Sequence, residues 1–426
     1  MARRIKEPIE VSIDNLSHEG RGVGRVDGKT VFVHGALPGE TALSRITKRR
    51  RQFDEALALE VRAPAAARIA PRCQHFDICG GCALQHMKDP LAHKQNVLLE
   101  LLAHHADLEP DQVQEPIAKS AWGYRRKARL GVKHVAKKGG VLVGFRERAK
   151  PFIADLTSCE VLHPVVGADL IELRRLLAPL SIVRQVPQIE VAVADNGVAL
   201  VIRHLAPFSA ADLAWLHSAA RANNYSIFLQ PGNEDTVVHF SGEPKNLYYE
   251  ADDIRFSFEP LDFTQVNFEI NQALIALVID ELDLGPTDTV VELFCGIGNF
   301  SLPMAKRAAR VLSYEGESRL ITRAQQNAEA NGVTKAEFFV QDLYNDPHLQ
   351  ECGNKLMLDP PRSGAQQVLV NLNNDFDRIV YVSCNPVTLA RDTAILSEKG
   401  YRLSSVRLLD MFPHTAHVES CAVFDR

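Results

Sequence analysis

Hydrophobic residues follow three different patterns along the 426-residue chain, and the first is a set of short alternating stretches over residues 8–62. Turn signals at Asp27-Gly28 and Pro38-Gly39 separate these stretches. The pattern predicts a small OB-like β-barrel, which we place at residues 1–63. Barrels of this kind bind single-stranded nucleic acid on one face or act as passive spacers, and Lys48-Arg-Arg-Arg51 would suit a binding face. The predicted strands are Ile9–Ile13, Gly20–Val26 and Thr30–His34.

The second pattern begins after a linker rich in Ala and Pro at residues 62–71. Residues 88–105 have helical periodicity, with Leu91, Val97, Leu98, Leu101 and Leu102 on one side. Residues 120–255 alternate as strands do. We therefore expect a central β-rich domain over residues 64–262, with a helix at 88–107 that packs on the following domain.

The third pattern, from Phe263 to the C terminus, is a series of apolar strands that alternate with helices. This alternation predicts an α/β domain at residues 263–426 with a doubly wound, Rossmann-like, mostly parallel sheet. A helical pattern covers Phe300 to Ala309. The predicted strands are Thr289–Leu293, Arg310–Tyr314, Glu337–Val340, Lys355–Leu358 and Arg378–Val382.

Composition narrows the class of protein. A hydrophobic content of 46% is enough for several packed cores. No apolar run is long enough to span a bilayer, and the opening residues 1–6 lack the apolar centre of a signal peptide. Eight cysteines are too few for a disulfide scaffold in a chain of this length. We expect a cytoplasmic protein that has no membrane partner and is monomeric.

Positive charge is concentrated in one stretch although the net charge is −5. Residues 119–150 contain eleven Lys or Arg and a single acid, Glu147. A basic stretch on an otherwise acidic chain is typical of a surface that binds a nucleic-acid backbone. The alternative is a solvated charged face without a ligand.

Three cysteines lie close together, Cys73, Cys79 and Cys82, and Cys159 is the best candidate for a fourth ligand. A close triplet with a distant fourth cysteine is usual for iron–sulfur clusters. Zinc is the second interpretation, although zinc ligands more often fall into two close pairs. Because the spacing differs from the tighter triplet of radical enzymes, we expect a structural cluster.

A glycine-containing turn follows the first predicted strand of the α/β domain, in Glu292-Leu-Phe-Cys-Gly-Ile-Gly-Asn299. Gly296 and Gly298 would let the backbone approach a nucleotide, and Glu315 ends the next strand, where an acid accepts ribose hydroxyls. Asp342 follows the third strand, where an adenine would lie. The set favours an adenosyl cofactor without a pyrophosphate over glycines that serve helix packing alone.

Polar residues also follow the last two predicted strands. Asp359-Pro-Pro-Arg-Ser-Gly364 follows the fourth strand and should form the floor of a pocket, since ligands of open α/β sheets lie at this edge. Cys384 follows the fifth strand, so its thiol would point at the cofactor crevice, where a nucleophile is placed to react. The alternative is that Cys384 is a buried apolar residue. Our candidate general base is Glu419; His414 and His417 are either alternative bases or residues that orient its carboxylate.

These residues resemble the bacterial 23S ribosomal RNA (uracil-5-)-methyltransferases of the RlmD type, which carry an N-terminal TRAM domain. The resemblance covers almost the full length. The tRNA-directed relatives lack the cysteine group and the shorter ribosomal relatives lack the barrel. The residues that carry it, besides the motifs above, are the four cysteines, Tyr124-Arg-Arg-Lys-Ala-Arg-Leu130 and Gln265-Val-Asn267.

The resemblance implies a methyl transfer from S-adenosyl-L-methionine to carbon 5 of a uridine in 23S rRNA. Cys384 would add to carbon 6 of a flipped uridine and Glu419 would remove the carbon 5 proton. The resemblance further implies a [4Fe-4S] cluster on Cys73, Cys79, Cys82 and Cys159. Glu292 stands where a shorter Asp is expected. The implied cofactor residues are Gln265, Phe294, Asn299, Glu315, Asp342 and Asp359, of which Gln265 and Phe294 rest on the resemblance alone.

Two other functions remain open. A cytosine-5 RNA methyltransferase uses the same thiolate chemistry, but such enzymes resemble a pattern with Cys after the two prolines, where this chain has Arg362. An iron–sulfur protein that binds RNA or transfers electrons, with an inactive methyltransferase fold, is the second.

Overall fold

The computed structural model describes residues 7–347, 349, 352–372 and 375–426. The expectation that no signal peptide is present concerns residues 1–6, which lie outside the described part of the chain.

The N-terminal strands form a closed five-stranded barrel in the order β1-β2-β3-β5-β4. Closure comes from antiparallel pairing of β1 with β4, in which Ile9 lies opposite Ser44. Alternating apolar residues such as Val11, Val31 and Val33 fill the interior. The strands are β1 (Ile9–Leu16), β2 (Gly22–Val26), β3 (Lys29–His34), β4 (Thr41–Arg49) and β5 (Phe53–Val61). The predicted barrel is therefore confirmed.

A buried carboxylate ties the barrel to the segment that follows it. Glu40 is 1% exposed and accepts hydrogen bonds from Arg68 Nε at 2.6 Å and from the Leu37 and Ala65 amides. Arg68 also donates to the Gly35 carbonyl at 2.8 Å. These charge-assisted bonds fix the linker against the loop between β3 and β4.

Helix α1 (Pro90–Ala106) begins at Asp89, whose side chain accepts from the Ala92 amide. Its buried residues include Lys94, Val97, Leu98 and Leu102. The apolar members pack with residues of the C-terminal sheet. Strand β6 (Gln112–Ile117) follows and pairs in parallel with a strand near the C terminus. Residues 90–117 thus belong spatially with the α/β region.

A six-stranded sheet forms the centre of the chain in the order β12-β11-β10-β9-β7-β8. Its strands are β7 (Lys127–Val135), β8 (Gly140–Gly144), β9 (Gln188–Ala194), β10 (Gly197–Arg203), β11 (Tyr225–Gln230) and β12 (Val238–Ser241). The region also contains α2 (Pro164–Gly167), α3 (Ile171–Leu177) and α4 (Ala210–Asn223). Strands β10 and β11 are parallel, and α4 is their crossover.

A hairpin of β13 (Leu247–Ala251) and β14 (Ile254–Phe258) leads into α5 (Phe268–Leu282). Apolar residues of the hairpin, among them Tyr249 and Phe256, share a core with α5 and with the C-terminal sheet. The hairpin therefore packs on the α/β region although it precedes residue 263.

The C-terminal region is an eight-stranded sheet in the order β17-β16-β15-β18-β19-β21-β20-β6. Its strands are β15 (Thr289–Leu293), β16 (Arg310–Glu315), β17 (Ala336–Val340), β18 (Lys355–Leu358), β19 (Arg378–Ser383), β20 (Arg402–Leu409) and β21 (Glu419–Asp425). Its helices are α6 (Ser301–Ala305), α7 (Ser318–Ala330), α8 (Gln366–Val370) and α9 (Pro386–Glu398). Strands β15 to β19 pair in parallel, and β21 runs antiparallel to β19 and β20.

This sheet agrees with the predicted doubly wound fold, and all five predicted strands are present. The helix expected over Phe300–Ala309 is shorter, Ser301–Ala305, because the chain turns at Lys306 towards β16. Within the described residues, no helix has the length and apolar character needed to cross a membrane.

Candidate functional site

The predicted cofactor and catalytic residues meet at one edge of the C-terminal sheet. The carboxyl ends of parallel strands lie at the same edge, and here β15, β16, β17, β18 and β19 are followed by the predicted polar residues. Strand β21 is antiparallel, so its first residue reaches this edge too. The residues brought together are Phe294, Gly296, Gly298, Asn299, Glu315, Asp342, Asp359, Cys384 and Glu419.

The turn after β15 contains three residues with positive φ values. Phe294 adopts a φ of 66°, which is strained for a residue with a side chain, and Gly296 and Gly298 have φ values of 56° and 90°. A Cβ on Gly296 would meet nothing within 4 Å, so space is open above this glycine. The Gly296 amide donates to Glu315 Oε2 at 3.2 Å, which places the acid beside the turn.

A buried acid lies beneath the same turn. Glu292 is 1% exposed and accepts hydrogen bonds from the hydroxyls of Ser301 and Ser313. Burial raises the pKa of the Glu292 carboxyl to about 7, while the two hydroxyl hydrogen bonds act in the opposite direction. The longer side chain that replaces the expected Asp is thus accommodated by two serines.

Asn299 and Asp342 are held in defined orientations. Asn299 Oδ1 accepts from Tyr249 at 2.8 Å and from Asn271 at 3.0 Å. Asp342 accepts the amides of Tyr344 and Asn345, both at 3.0 Å, at the end of β17. Gln265 is 8% exposed and lies just before α5. The hairpin and α5 therefore contribute to the site from outside the sheet.

Cys384 and Glu419 lie at neighbouring ends of two antiparallel strands. In the β19–β21 register Ser383, the last residue of β19, lies opposite Ser420; Cys384 follows Ser383, and Glu419 precedes Ser420. Cys384 is partly exposed, whereas Glu419 is 3% exposed. Asn385 begins α9 by accepting the Val387 amide, and its side-chain amide donates to the Arg362 carbonyl at 2.9 Å.

The ionisable groups around Cys384 shift the pKa values of one another. Burial, reinforced by the carboxylates of Glu419 and Asp359, raises the pKa of the Cys384 thiol to about 11. Burial and Asp359 raise the pKa of Glu419 to about 8, and burial raises that of Asp359 to about 7. Arg362 lowers the pKa of both Cys384 and Glu419. The thiol therefore ionises most readily when the neighbouring carboxyls are neutral.

The two histidines considered as alternative bases lie on the loop between β20 and β21. The Arg362 guanidinium donates to His417 Nδ1 at 2.8 Å. His414 stacks on Trp122, with ring centroids 3.9 Å apart. Burial lowers the pKa of each histidine to about 4, so both are neutral near pH 7. Between them, His417 has the contact closest to the reaction site, through Arg362.

All four predicted ligand cysteines line a single cavity of about 190 Å³. Burial raises the pKa of Cys82 to about 12 and that of Cys159 to about 11, and the negative charges of the other cysteines add to both shifts. Among the described residues, no group of three or more His, Cys, Asp or Glu side chains is arranged to hold a metal ion. Thr415 and His417 also line the cavity, which therefore borders the β20–β21 loop.

The basic segment is divided between the surface and the interior. Arg148 is 8% exposed, donates to the carbonyls of Phe76 at 2.8 Å and Cys82 at 2.9 Å, and lies 4.5 Å over the Phe76 ring. It holds the cysteine-bearing segment. Exposed members such as Lys133 and Arg146 remain available at the surface. The charge count alone did not distinguish the buried Arg148 from the exposed members of the segment.

Two family models match the chain. One, described as tRNA (Uracil-5-)-methyltransferase, matches residues 219–341 and 346–426, and the other, the TRAM domain, matches residues 3–59. A 23S rRNA (uracil(1939)-C(5))-methyltransferase RlmD from Alkalilimnicola ehrlichii is 49% identical over 99% of this chain and 97% of its own. The chain belongs to the RlmD family of S-adenosylmethionine-dependent rRNA (uracil-5-)-methyltransferases.

Other relatives extend the comparison. The RlmD protein of Legionella pneumophila is 42% identical over the full length of both chains. The crystal structure of a Pyrococcus abyssi tRNA (uracil-54, C5)-methyltransferase in complex with S-adenosyl-L-homocysteine superposes with a TM-score of 0.75. It is 22% identical and the match covers 98% of this chain and 100% of that one. The fold is thus shared across the whole length of this RlmD family member.

Sequence patterns did not indicate the contact between Arg362 and His417. Arg362 lies inside the quoted Asp359-Pro-Pro-Arg motif, but nothing in the pattern linked it to His417. The proximity of Cys384 and Glu419 depends on the antiparallel β21, which sequence alternation did not reveal because both faces of that strand are buried.

Proposed function

We propose that the enzyme methylates carbon 5 of a uridine in 23S rRNA through a covalent bond between Cys384 and carbon 6. The supporting observation is that Cys384 and Glu419 lie at neighbouring ends of β19 and β21, at the same sheet edge as the glycine turn. Since the curated relatives are named for uracil(1939), we take the corresponding uridine as the target.

The chemistry requires a nucleophile and a base in this order. Carbon 5 of uracil is too weakly nucleophilic to accept a methyl group unaided. Addition of the Cys384 thiolate to carbon 6 moves an electron pair towards carbon 5. S-adenosyl-L-methionine, when bound, supplies an electrophilic methyl group on its sulfonium. Glu419 then removes the carbon 5 proton, and the thiolate leaves as the ring double bond forms again.

The raised pKa values suit this sequence. Cys384 ionises beside Arg362 while Glu419 holds a proton, since two adjacent anions are unfavourable. Once sulfur is bonded to carbon 6 it carries no charge, so this repulsion of the Glu419 carboxylate disappears. The carboxyl can then ionise and act as the base for the second half of the reaction.

Cofactor binding is assigned to the residues around the glycine turn. Glu315 would accept the ribose hydroxyls, Asp342 would lie by the adenine, and Asp359 would bound the reacting end. Phe294, Asn299 and Gln265 complete the proposed site. The open space over Gly296 and the fixed orientation of Asn299 support this assignment.

RNA would approach across the barrel and the exposed part of the basic segment. Barrels of this type bind single strands, and exposed lysines and arginines neutralise phosphates. The target base must leave its stack, because carbon 6 is inaccessible in a helix. We infer that the uridine enters between Asp359 and Cys384.

The cysteine cavity is proposed to hold a [4Fe-4S] cluster on Cys73, Cys79, Cys82 and Cys159. A single zinc ion would require four sulfurs at about 2.3 Å from one centre. The four thiols line one cavity of about 190 Å³, which has room for a cluster of several atoms. The close cysteine triplet with a distant fourth cysteine favours a cluster over zinc. Its role would be to fix the segment against residues 146–148, which follow β8 and bond to the backbone of Gly80 and Ile78.

The test uses the Cys384→Ala variant with an rRNA fragment and tritiated cofactor. We expect loss of methyl transfer and of any protein–RNA adduct on a denaturing gel, with cofactor binding retained in calorimetry. Retention of both methyl transfer and the adduct would overturn the proposal. Mass spectrometry of digested RNA separates 5-methyluridine from 5-methylcytidine, and finding the latter would establish the cytosine-5 alternative.

A further inference from the structure

A buried ion pair joins helix α1 to the loop that leads to Glu419. Lys94 Nζ lies 2.7 Å from Asp410 Oδ1 and 2.9 Å from the Phe412 carbonyl oxygen. The Lys94 side chain is 1% exposed and that of Asp410 13%. Two apolar side chains at the positions of Lys94 and Asp410 would leave the folded protein at least as stable as the buried ion pair does. Stability alone therefore does not explain the pair.

Asp410, the acid of the ion pair, lies next to the residue that pairs with Glu419 of the reaction site. Leu409 pairs with Glu419 in the β20–β21 register, and Asp410 is the next residue. At the other end of the loop, Val418 shares a hydrophobic core with Val97 and Leu98 of α1. Helix α1 therefore contacts the start of the loop directly, and its apolar residues belong to the same core as the end of the loop.

The loop also contacts the cation of the site. The Phe412 and His417 rings lie 5.4 Å apart, and His417 accepts from Arg362 at 2.8 Å. Arg362 is the cation whose charge favours the ionised forms of Cys384 and Glu419. Phe412 and His417 therefore form a continuous set of contacts from the first turn of the loop to Arg362.

Other contacts of the loop come from the cysteine-bearing and basic segments. The His414 carbonyl accepts from the Ala83 and Leu84 amides at 2.8 and 2.9 Å, and Tyr124 donates to the Pro413 carbonyl at 3.0 Å. These bonds fix the middle of the loop. Lys94 fixes its first turn, one residue from the partner of Glu419.

We propose that Lys94 is a positioning residue that keeps Glu419 aligned for removal of the carbon 5 proton. This inference rests on the proposed function. In the affected step Glu419 takes the proton, the electron pair of the C–H bond forms the carbon 5–carbon 6 double bond, and the carbon 6–sulfur bond breaks to return thiolate to Cys384. A displaced base slows this step, while addition and methyl transfer, which precede it, are affected less.

The experiment measures the methylated covalent adduct and the released methylated RNA separately. Full-length enzyme is mixed with an rRNA fragment and cofactor carrying a tritiated methyl group, quenched at intervals and run on a denaturing gel. The variants are Lys94→Met and the double variant Lys94→Met/Asp410→Leu, in which apolar groups replace both charges. Lys88→Met removes an exposed lysine just before the same helix and is the matched control. Glu419→Gln serves as the reference for a trapped adduct.

We expect both Lys94 variants to decay from adduct to product about tenfold more slowly than wild type, because small misplacement of a reacting group costs one to two orders of magnitude. Formation of the adduct and affinity for the cofactor should stay within about threefold. Lys88→Met should match wild type. If the role of Lys94 were purely structural, its replacement would lower the yield of folded protein and slow every step of the reaction by the same factor.

Two results would overturn the inference. If the double variant folds, binds cofactor and releases product at the wild-type rate, Lys94 does not position the base; equal slowing of adduct formation and decay contradicts it too. If Glu419→Gln accumulates no adduct, the proposed function itself is wrong, and the role of Lys94 falls with it.

Discussion

Replacing Arg148 with methionine should loosen the segment that carries Cys73, Cys79 and Cys82. The guanidinium is buried and donates to the carbonyls of Phe76 and Cys82 while lying over the Phe76 ring. Methionine fills similar space but leaves these carbonyls without their donor. The substitution therefore tests whether this member of the basic segment is structural and not an RNA contact.

The magnitude follows from the contacts. Two hydrogen bonds from a charged donor contribute about 1.5 kcal/mol each, and a partly desolvated cation–π contact about 1 kcal/mol. Relief from burying the guanidinium offsets part of this, which leaves a loss of about 3 kcal/mol for the segment. Such a loss raises the equilibrium constant for local opening about a hundredfold.

Hydrogen exchange followed by mass spectrometry measures this opening peptide by peptide. Peptides from residues 73–87 should exchange about a hundredfold faster in Arg148→Met than in wild type. Arg146→Met removes an exposed arginine two residues away and should leave exchange unchanged. Equal exchange in wild type and Arg148→Met would refute the structural role, as would equal acceleration in the two variants.

Three further predictions concern two buried acids and one acid of the proposed cofactor site. Burial raises the folded-state pKa of Glu292 to about 7, so the stability linked to its neutral form is complete below pH 4.5 and is lost as pH rises through 7. Glu292→Gln should therefore match wild type in Tm at pH 4 and exceed it at pH 8; a constant difference across pH would contradict the assignment. Glu315→Ala should weaken cofactor binding, measured by calorimetry, by about thirtyfold, because about 2 kcal/mol of charge-assisted hydrogen bonding is lost. Glu317→Ala, which removes an exposed acid, is the control. An unchanged affinity in Glu315→Ala would show that Glu315 does not bind the cofactor. Glu40→Gln should weaken the attachment of the linker to the barrel by about 2 kcal/mol, because the charged hydrogen bonds to Arg68 are lost. Limited proteolysis within residues 62–72 should then be faster than in wild type. An unaltered cleavage rate would show that Arg68 does not depend on this carboxylate.

Patterns of short range were enough to predict the barrel and the parallel strands. Alternation in β1 and β3 shows that each of these strands buries one face, and the apolar runs in β18 and β19 show that each of those strands buries both faces. The glycine turn and Cys384 could be placed because the carboxyl edge of a parallel sheet follows from chain order.

Features that depend on pairing between distant segments could not be predicted. Strand β6 joins the far edge of the C-terminal sheet beside β20, about three hundred residues later in the chain. Lys94 lies on a side of α1 where periodicity predicts an apolar residue, and only the arrival of Asp410 makes its burial possible. The burial of Arg148 could not be predicted either, because its partners are backbone carbonyls, which any residue carries.

The most direct test of the covalent mechanism uses an rRNA fragment with 5-fluorouridine at the target position. Fluorine cannot be removed as a cation, so Glu419 has no proton to take after methyl transfer and the adduct persists. After digestion, mass spectrometry should find one methylated 5-fluorouridine nucleotide on the peptide that contains Cys384. A methylated RNA free of protein, or a nucleotide attached to any other residue, would contradict the account.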